Sequence, residues 1–244
     1  MLRIEQQPAF VLHARAWRET SLLLEVLTRD HGRVGMVARG VRGARSRQPR
    51  ALLQPLTPLS VTWSGRGELV TLGSAEASGP AIALHGEALL CALYVNEVVI
   101  RLLPRHDPHS AVFADYAVVL ARLESGESAA WTLRRFERDL LAHLGYGLVL
   151  DADTETGEPL HPQRDYAYLF EAGPAPWRSA QDGMKFRGAA LLALGEDRQP
   201  TAEDLVALRR LLRALIARHL DGGELRAWSL FRDGPALSRA EPSP

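Results

Sequence analysis

The 244-residue sequence has a single cysteine, Cys91. No intramolecular disulfide can form, and no multi-thiolate metal site can assemble. Such scarcity fits a reducing compartment. Lysine is nearly missing as well: Lys185 is the only one, and arginine supplies the rest of the positive charge. That bias carries little functional weight. No run approaches the ~18 apolar residues of a membrane-spanning helix. The N-terminal "MLRIEQQPAFVLHARAW" scatters charges where a signal peptide needs an apolar core. The expectation is a soluble cytoplasmic protein with no membrane partner. Walker loop, GxGxxG after a strand, GxSxG and HExxH are all missing. "GRGEL" has two glycines but neither the third nor the strand-to-helix setting, and it reads as a hairpin turn. A hydrophobic content of 46% is ample for a packed core.

The formal net charge is zero, but the charge is unevenly placed. Residues 1–80 hold eleven arginines against six acids, so the remainder is acidic by the same margin. A basic module precedes an acidic one, which points to a polyanion partner for the first. The basic residues concentrate in "ARGVRGARSRQPR", residues 38–50, with Arg39, Arg42, Arg45, Arg47 and Arg50 and no acid.

Residues 8–78 read as five short strands with Gly and Pro at the breaks: "AFVLHARAW", "SLLLEVLT", "VGMVAR", "PLSVTW" and "ELVTLGSAE". Five strands in about 75 residues suit a small closed barrel of the OB type; an SH3-like barrel or a small sandwich gives a similar pattern. Near residue 80 the period changes to that of helices. "HGEALLCALYVNEVVIRLLP", "HSAVFADYAVVLARLES", "SAAWTLRRFERDLLAHLGYG" and "TAEDLVALRRLLRALIARHLDGG" each carry an apolar stripe, and Thr201 stands as an N-cap. Residues 151–188 form an irregular insertion rich in Gly, Pro, Asp and aromatics, with one strand at "DYAYLFEAG". The fold class is therefore α+β. A barrel over 1–80 precedes a helical domain over 81–244, with the small insertion inside it.

Catalytic constellations are missing. His106, Asp107 and His109 of "HDPH" sit beside a proline and fit a helix entry better than a metal site. Asp151 and Asp153 lie in a polar loop rather than an acid/base pair. Cys91, on an apolar helix, reads as a buried inert thiol. No cofactor is expected.

The arginine loop has two readings. One is a solvated loop with no partner. The other is a nucleic-acid contact, favoured by a long excursion between two barrel strands and by guanidinium groups that pair with phosphate and stack on bases. Arg33 and Arg39 extend the patch along the barrel, and Trp17 and Trp63 lie near in sequence. Those rings fit a core as well as a stacking surface.

Six segments together resemble the RecO family of bacterial DNA-repair and recombination mediators. They are "AFVLHARAWRETSLLLEVLTRDHGRV", "ARGVRG", "LLQPLTPLSVTWSGRGEL", "LYVNEVVIRLLPRHDPH", "LRRFERDLLAHLGYG" and "HLDGGELRAWSLFR". The resemblance runs from about Phe10 to Arg232. It implies an OB-fold followed by a helical domain, binding of single- and double-stranded DNA, and annealing of complementary strands. It implies cooperation with RecR and, indirectly, loading of RecA onto DNA coated by single-stranded-DNA-binding protein, in the cytoplasm at the nucleoid. No covalent catalysis is implied. Many members carry a four-cysteine zinc site after LGYG; the cysteine-free 151–188 segment puts this sequence in a zinc-less branch, held instead by Tyr166, Tyr168, Phe170 and Trp177. The resemblance also implies a pocket for the acidic, Phe-ending tail of single-stranded-DNA-binding protein. "LRRF" makes Arg134 and Arg135 its candidates, with Arg138 beside them on the flank of the helix. A rival reading from another class is a protein-interaction scaffold whose basic barrel binds an acidic protein. A hydrolase with an unrecognised site is a remote third.

Overall fold

The computed structural model describes residues 2–42, 50–178, 184–220 and 223–233. Its first strand, β1 (Arg3–Trp17), is followed by β2 (Ser21–Thr28), β3 (Gly32–Ala38), β4 (Pro58–Ser64) and β5 (Leu69–Ala77). They close into a barrel in the order β1-β2-β3-β5-β4. All pairings are antiparallel except β3 with β5, which run parallel from Gly35 opposite Leu69 to Val37 opposite Thr71. This is the expected OB-fold, and the closed ring excludes a sandwich. β1 is long enough to pair on both edges because it bends. Its register slips between Val11 and His13 against β2, and between Ile4 and Gln7 against β4. Each bulge adds the twist that closure needs.

Alternation fills the barrel. Leu22, Leu24 and Val26 of β2, Val34, Met36 and Ala38 of β3, Leu59, Val61 and Trp63 of β4, and Val70, Leu72 and Ala75 of β5 form one buried cluster. Leu53, from the short 3-10 turn Arg50–Leu53, joins them. The outer faces of β1 and β2 are apolar too: Phe10, Leu12, Leu23 and Leu27 are buried. Two-sided burial explains why "SLLLEVLT" is almost continuously apolar.

The cover is helical. α1 (Gly86–Leu102) and α2 (Ser110–Glu124) lie in the same compact unit as the barrel. Phe10 packs against the rings of Phe113 and Tyr116, at centroid distances of 5.4 and 5.0 Å. Leu12 is the residue the β1 bulge leaves out of register, and its carbonyl accepts from Asn96 Nδ2 at 2.9 Å. Tyr116 donates to Asn96 Oδ1 at 2.6 Å, so the buried amide is satisfied on both ends. The neighbouring Glu97 receives the backbone N–H groups of Arg226 and Ala227, at 2.7 and 2.8 Å, and so caps α6 (Arg226–Asp233). The "YVNE" run thus fastens a strand bulge and a distant helix.

The second unit spans Glu127–Gly223. It contains α3 (Ala129–His143), β6 (Asp165–Leu169), β7 (Gly173–Pro176), β8 (Lys185–Arg187), α4 (Gly188–Gly195) and α5 (Ala202–Arg218). β7-β6-β8 make a small antiparallel sheet. Thr201 caps α5 as expected, accepting from Asp204 N–H at 3.2 Å and donating to its carboxylate at 2.8 Å. Of the side chains expected to hold the insertion, Tyr166 is buried and Tyr168 and Trp177 are half-buried, and the buried Phe186 joins them. Phe170 is exposed under the guanidinium of Arg218, 4.5 Å from its ring centroid. Asp153 is a loop residue, accepting from Glu155 N–H at 2.8 Å. His109 meets Asp107 at 3.1 Å, and no group of three or more metal-binding side chains occurs among the described residues. Among the described residues no helix is long and apolar enough to cross a membrane.

Candidate nucleic-acid interface

The outer face of the barrel opens where the β1–β2 turn approaches the ends of β3 and β5. β1 alternates after its bulge: Ala14 turns to the core, so Arg15 and Trp17 turn out. The Arg15 guanidinium lies 5.8 Å over the Trp17 ring. Trp17, Arg18, Val37, Arg39, Leu69 and Thr71 border an open cleft of about 790 Å³. Its lining mixes polar and apolar side chains, and Leu69 on it is 40% exposed. Trp63 is different: it is 4% exposed, in the core, edge-on to His31 at 5.3 Å. Of the two tryptophans of the barrel, one is core and one is on the cleft.

Arg39 and Arg42 are exposed at the exit of β3. Arg42 fastens the β1–β2 turn, its backbone N–H to Thr20 O at 2.9 Å and its Nη1 to Arg18 O at 3.3 Å. Arg18 has a positive φ of 52°, the conformation that brings the chain round. Arg45 and Arg47 lie outside the described residues. Arg50 is exposed at the start of the short 3-10 turn. Neither Arg39 nor Arg50 makes an ion pair among the described residues. Glu19 stands beside Arg18 and Arg39 on the cleft, the one acid among its lining residues.

Arg33 has another task. Its Nη1 donates to Glu25 at 2.7 Å and its Nε to Leu103 O at 2.9 Å, and its side chain is only 13% exposed. Arg105 approaches the same carboxylate with Nε at 3.3 Å and Nη2, and reaches Glu68 with Nη1 at 3.3 Å. Burial alone would raise the Glu25 carboxyl, but the hydrogen bonds and charges of Arg105 and Arg33 outweigh it and hold it below the usual range. Gly35, opposite Glu25, leaves room for this cluster: a Cβ there would stand 2.9 Å from Glu68 O and 3.1 Å from the Arg105 guanidinium carbon. The extension of the patch to Arg33 is therefore not seen. Arg33 ties the β2–β3 hairpin to the α1–α2 connection, where His106 N–H also meets Arg33 O at 2.9 Å.

The three arginines of α3 are not equivalent. Arg134 is not on the flank: it is 5% exposed and forked onto Glu137, itself 1% exposed, at 2.7 and 2.5 Å. An acid three residues on turns this arginine inward, because a buried guanidinium needs a partner. Arg135 and Arg138 do converge, on Asp197. Arg135 holds it bidentately at 2.8 and 2.7 Å and lies 5.2 Å over the Trp131 ring. Arg138 reaches it at 3.3 Å, pairs with Asp139 at 2.7 Å, and donates to Leu194 O at 2.5 Å, at the end of α4. Partial burial would raise Asp197, but Arg135 first and then Arg138 bring it below the ordinary carboxylate value.

A five-stranded closed barrel in the order β1-β2-β3-β5-β4, with an arginine- and tryptophan-bordered cleft on its outer face, defines an OB-fold protein. The family model described as Recombination protein O N terminal matches residues 1–81, and that described as Recombination protein O C terminal matches residues 84–229. The chain belongs to this family, RecO. A protein of Xanthomonas campestris pv. campestris called DNA repair protein RecO is 48% identical over 234 residues, covering 94% of this chain and 97% of its own. Proteins of the same description from Nitrosococcus oceani and Methylococcus capsulatus are each 46% identical. They cover 95% and 94% of this chain, and 94% of their own length in both cases.

Proposed function

We propose that this chain is a recombination mediator in DNA repair. It binds single- and double-stranded DNA and anneals complementary strands. With RecR it helps load RecA onto DNA coated by single-stranded-DNA-binding protein. The observation that carries the reading is a match to both halves of one family at 46–48% identity over nearly the whole of each chain. The family's work is to hold and exchange DNA, and no bond-making or bond-breaking step is assigned to any residue.

The barrel, residues 1–80, is the DNA module in this reading. Arg39, Arg42 and Arg50, with Arg45 and Arg47 of the same loop, take the phosphates around the cleft. Arg33 is left to its structural pair. Residues 81–244 carry the partner functions, and Arg135 and Arg138 receive the acidic tail of single-stranded-DNA-binding protein, whose carboxylates compete with Asp197. Arg134 orders the helix beneath them. A cytoplasmic, nucleoid-associated site of action and a zinc-less insertion follow from the same reading. A cysteine-free segment over 151–188 supports the second, and elemental analysis of the purified protein checks it.

RecA filament formation provides the test. RecA hydrolyses ATP on a strand it has occupied, and a coat of single-stranded-DNA-binding protein delays it. Addition of this chain with RecR is expected to abolish the delay. An unchanged delay at saturating concentrations of both would refute the reading.

A further inference from the structure

We infer that Trp17 is a base-stacking platform and that it makes the outer cleft a site for unpaired DNA, with duplex held by the arginines alone. The inference rests on the DNA-binding reading of the barrel and goes further, to the form of DNA the cleft takes and the residue that selects it. Three observations carry it. First, strand alternation turns Trp17 outward while the barrel's other tryptophan is core, so the ring contributes nothing to the buried cluster. Second, the cleft beside it sets apolar surface, Leu69 at 40% exposure and the half-buried Val37, among polar side chains that include Arg18 and Arg39. Phosphates alone need only the arginines; an exposed leucine beside an aromatic ring suits the flat faces of bases. Third, the Arg15 guanidinium lies 5.8 Å from the ring centroid and puts a cation beside the proposed stacking site.

The chemistry then discriminates by itself. A base in a duplex has both faces covered by its neighbours, so it has nothing to offer an indole. An unpaired base can be splayed onto the ring with its phosphate toward Arg15 or Arg39. Backbone charge is present in both forms and is denser in duplex, so it cannot favour the single strand.

The experiment uses the full chain, an oligo-dT strand, the same strand with abasic sites in place of its central bases, and a blunt duplex of equal length, all at one salt concentration. Wild type is expected to bind oligo-dT about ten-fold more tightly than the abasic strand. Trp17→Ala is expected to bind both strands alike, at the abasic level, with its affinity for duplex unchanged. Trp17→Phe keeps most of the preference. The wild-type comparison alters only the ligand, so it stands even if the alanine variant folds poorly. Equal wild-type affinity for the normal and abasic strands would overturn the inference, as would a parallel loss of duplex binding in Trp17→Ala. Either result, with salt-dependent binding of all three ligands intact, leaves the DNA-binding reading standing. Failure of wild type to bind any of them brings down both.

Discussion

A carboxylate shared by two guanidinium groups, as Glu25 is by Arg33 and Arg105, costs much when one side is lost. Neutralising it in Glu25→Gln leaves two partly buried cations short of an acceptor. The expected loss is about 3 kcal/mol of unfolding free energy at neutral pH, read by urea denaturation. The pH dependence has a definite sign. Glu25 has a folded pKa below its unfolded value, which is about 4.3. Its stabilisation is therefore complete above that pH and is lost as pH falls through the folded value. Wild type is expected to lose stability more steeply on acidification than Glu25→Gln, and the two should converge in acid. Parallel curves would show that Glu25 contributes nothing specific. None of this is visible in the sequence, where Glu25, Arg33 and Arg105 are separate charged residues; only the fold of β2, β3 and the α1–α2 connection brings them together. Arg134 is different in kind. Its burial has a local signal, the Arg-x-x-Glu spacing to Glu137 on one helix, which a simple reading of inward and flanking positions passes over.

Among the elements, those with a clean period are legible from sequence and those buried or irregular are not. Strands β1 to β5 and helices α1, α2, α3 and α5 follow their apolar patterns. α4 hides in "GAALLALG", whose small and apolar residues surround the helix and leave no stripe to find. β7, "GPAP", carries two prolines that argue against a strand. It is tolerated because, among the described residues, it is the edge of its sheet, with β6 as its one strand partner. At this scale α3 yields a test of the tail pocket. Asp197→Asn weakens the acceptor of Arg135 and Arg138. If those arginines receive an acidic peptide, the variant is expected to bind a labelled tail peptide a few-fold more tightly, since its own competitor is gone. Unchanged or weaker binding in a folded variant places the pocket elsewhere. The arginine loop yields another. Replacing Arg42, Arg45 and Arg47 with Ala is expected to weaken single-strand binding for all sequences. It should also flatten the slope of log K against log salt by about 0.7 for each phosphate contact removed. A folded triple variant with the wild-type slope would return the loop to plain solvation.

For the molecule as a whole, the pattern change near residue 80 is easy to read, but what it means in space is not. Secondary structure switches there from strand to helix, yet compactness keeps α1 and α2 with the barrel, because Phe10, Leu12, Leu23 and Leu27 need cover on the outer face. An apolar run with buried residues on both sides was the available signal. The return of α6 to the first unit, capped by Glu97, had none, since it joins residues 129 and 130 positions apart. The basic surplus of the first 80 residues does foreshadow the cationic cleft, though Arg33 contributes to packing and Trp17 to the surface. The most direct measurement is annealing of complementary strands, each coated with single-stranded-DNA-binding protein, followed by loss of single-strand signal with time. The wild-type chain is expected to accelerate it strongly, and a variant with Arg39, Arg42 and Arg50 replaced by Ala to do so far less while remaining folded. No acceleration by the wild-type chain, at any salt concentration at which it binds bare DNA, would contradict the account.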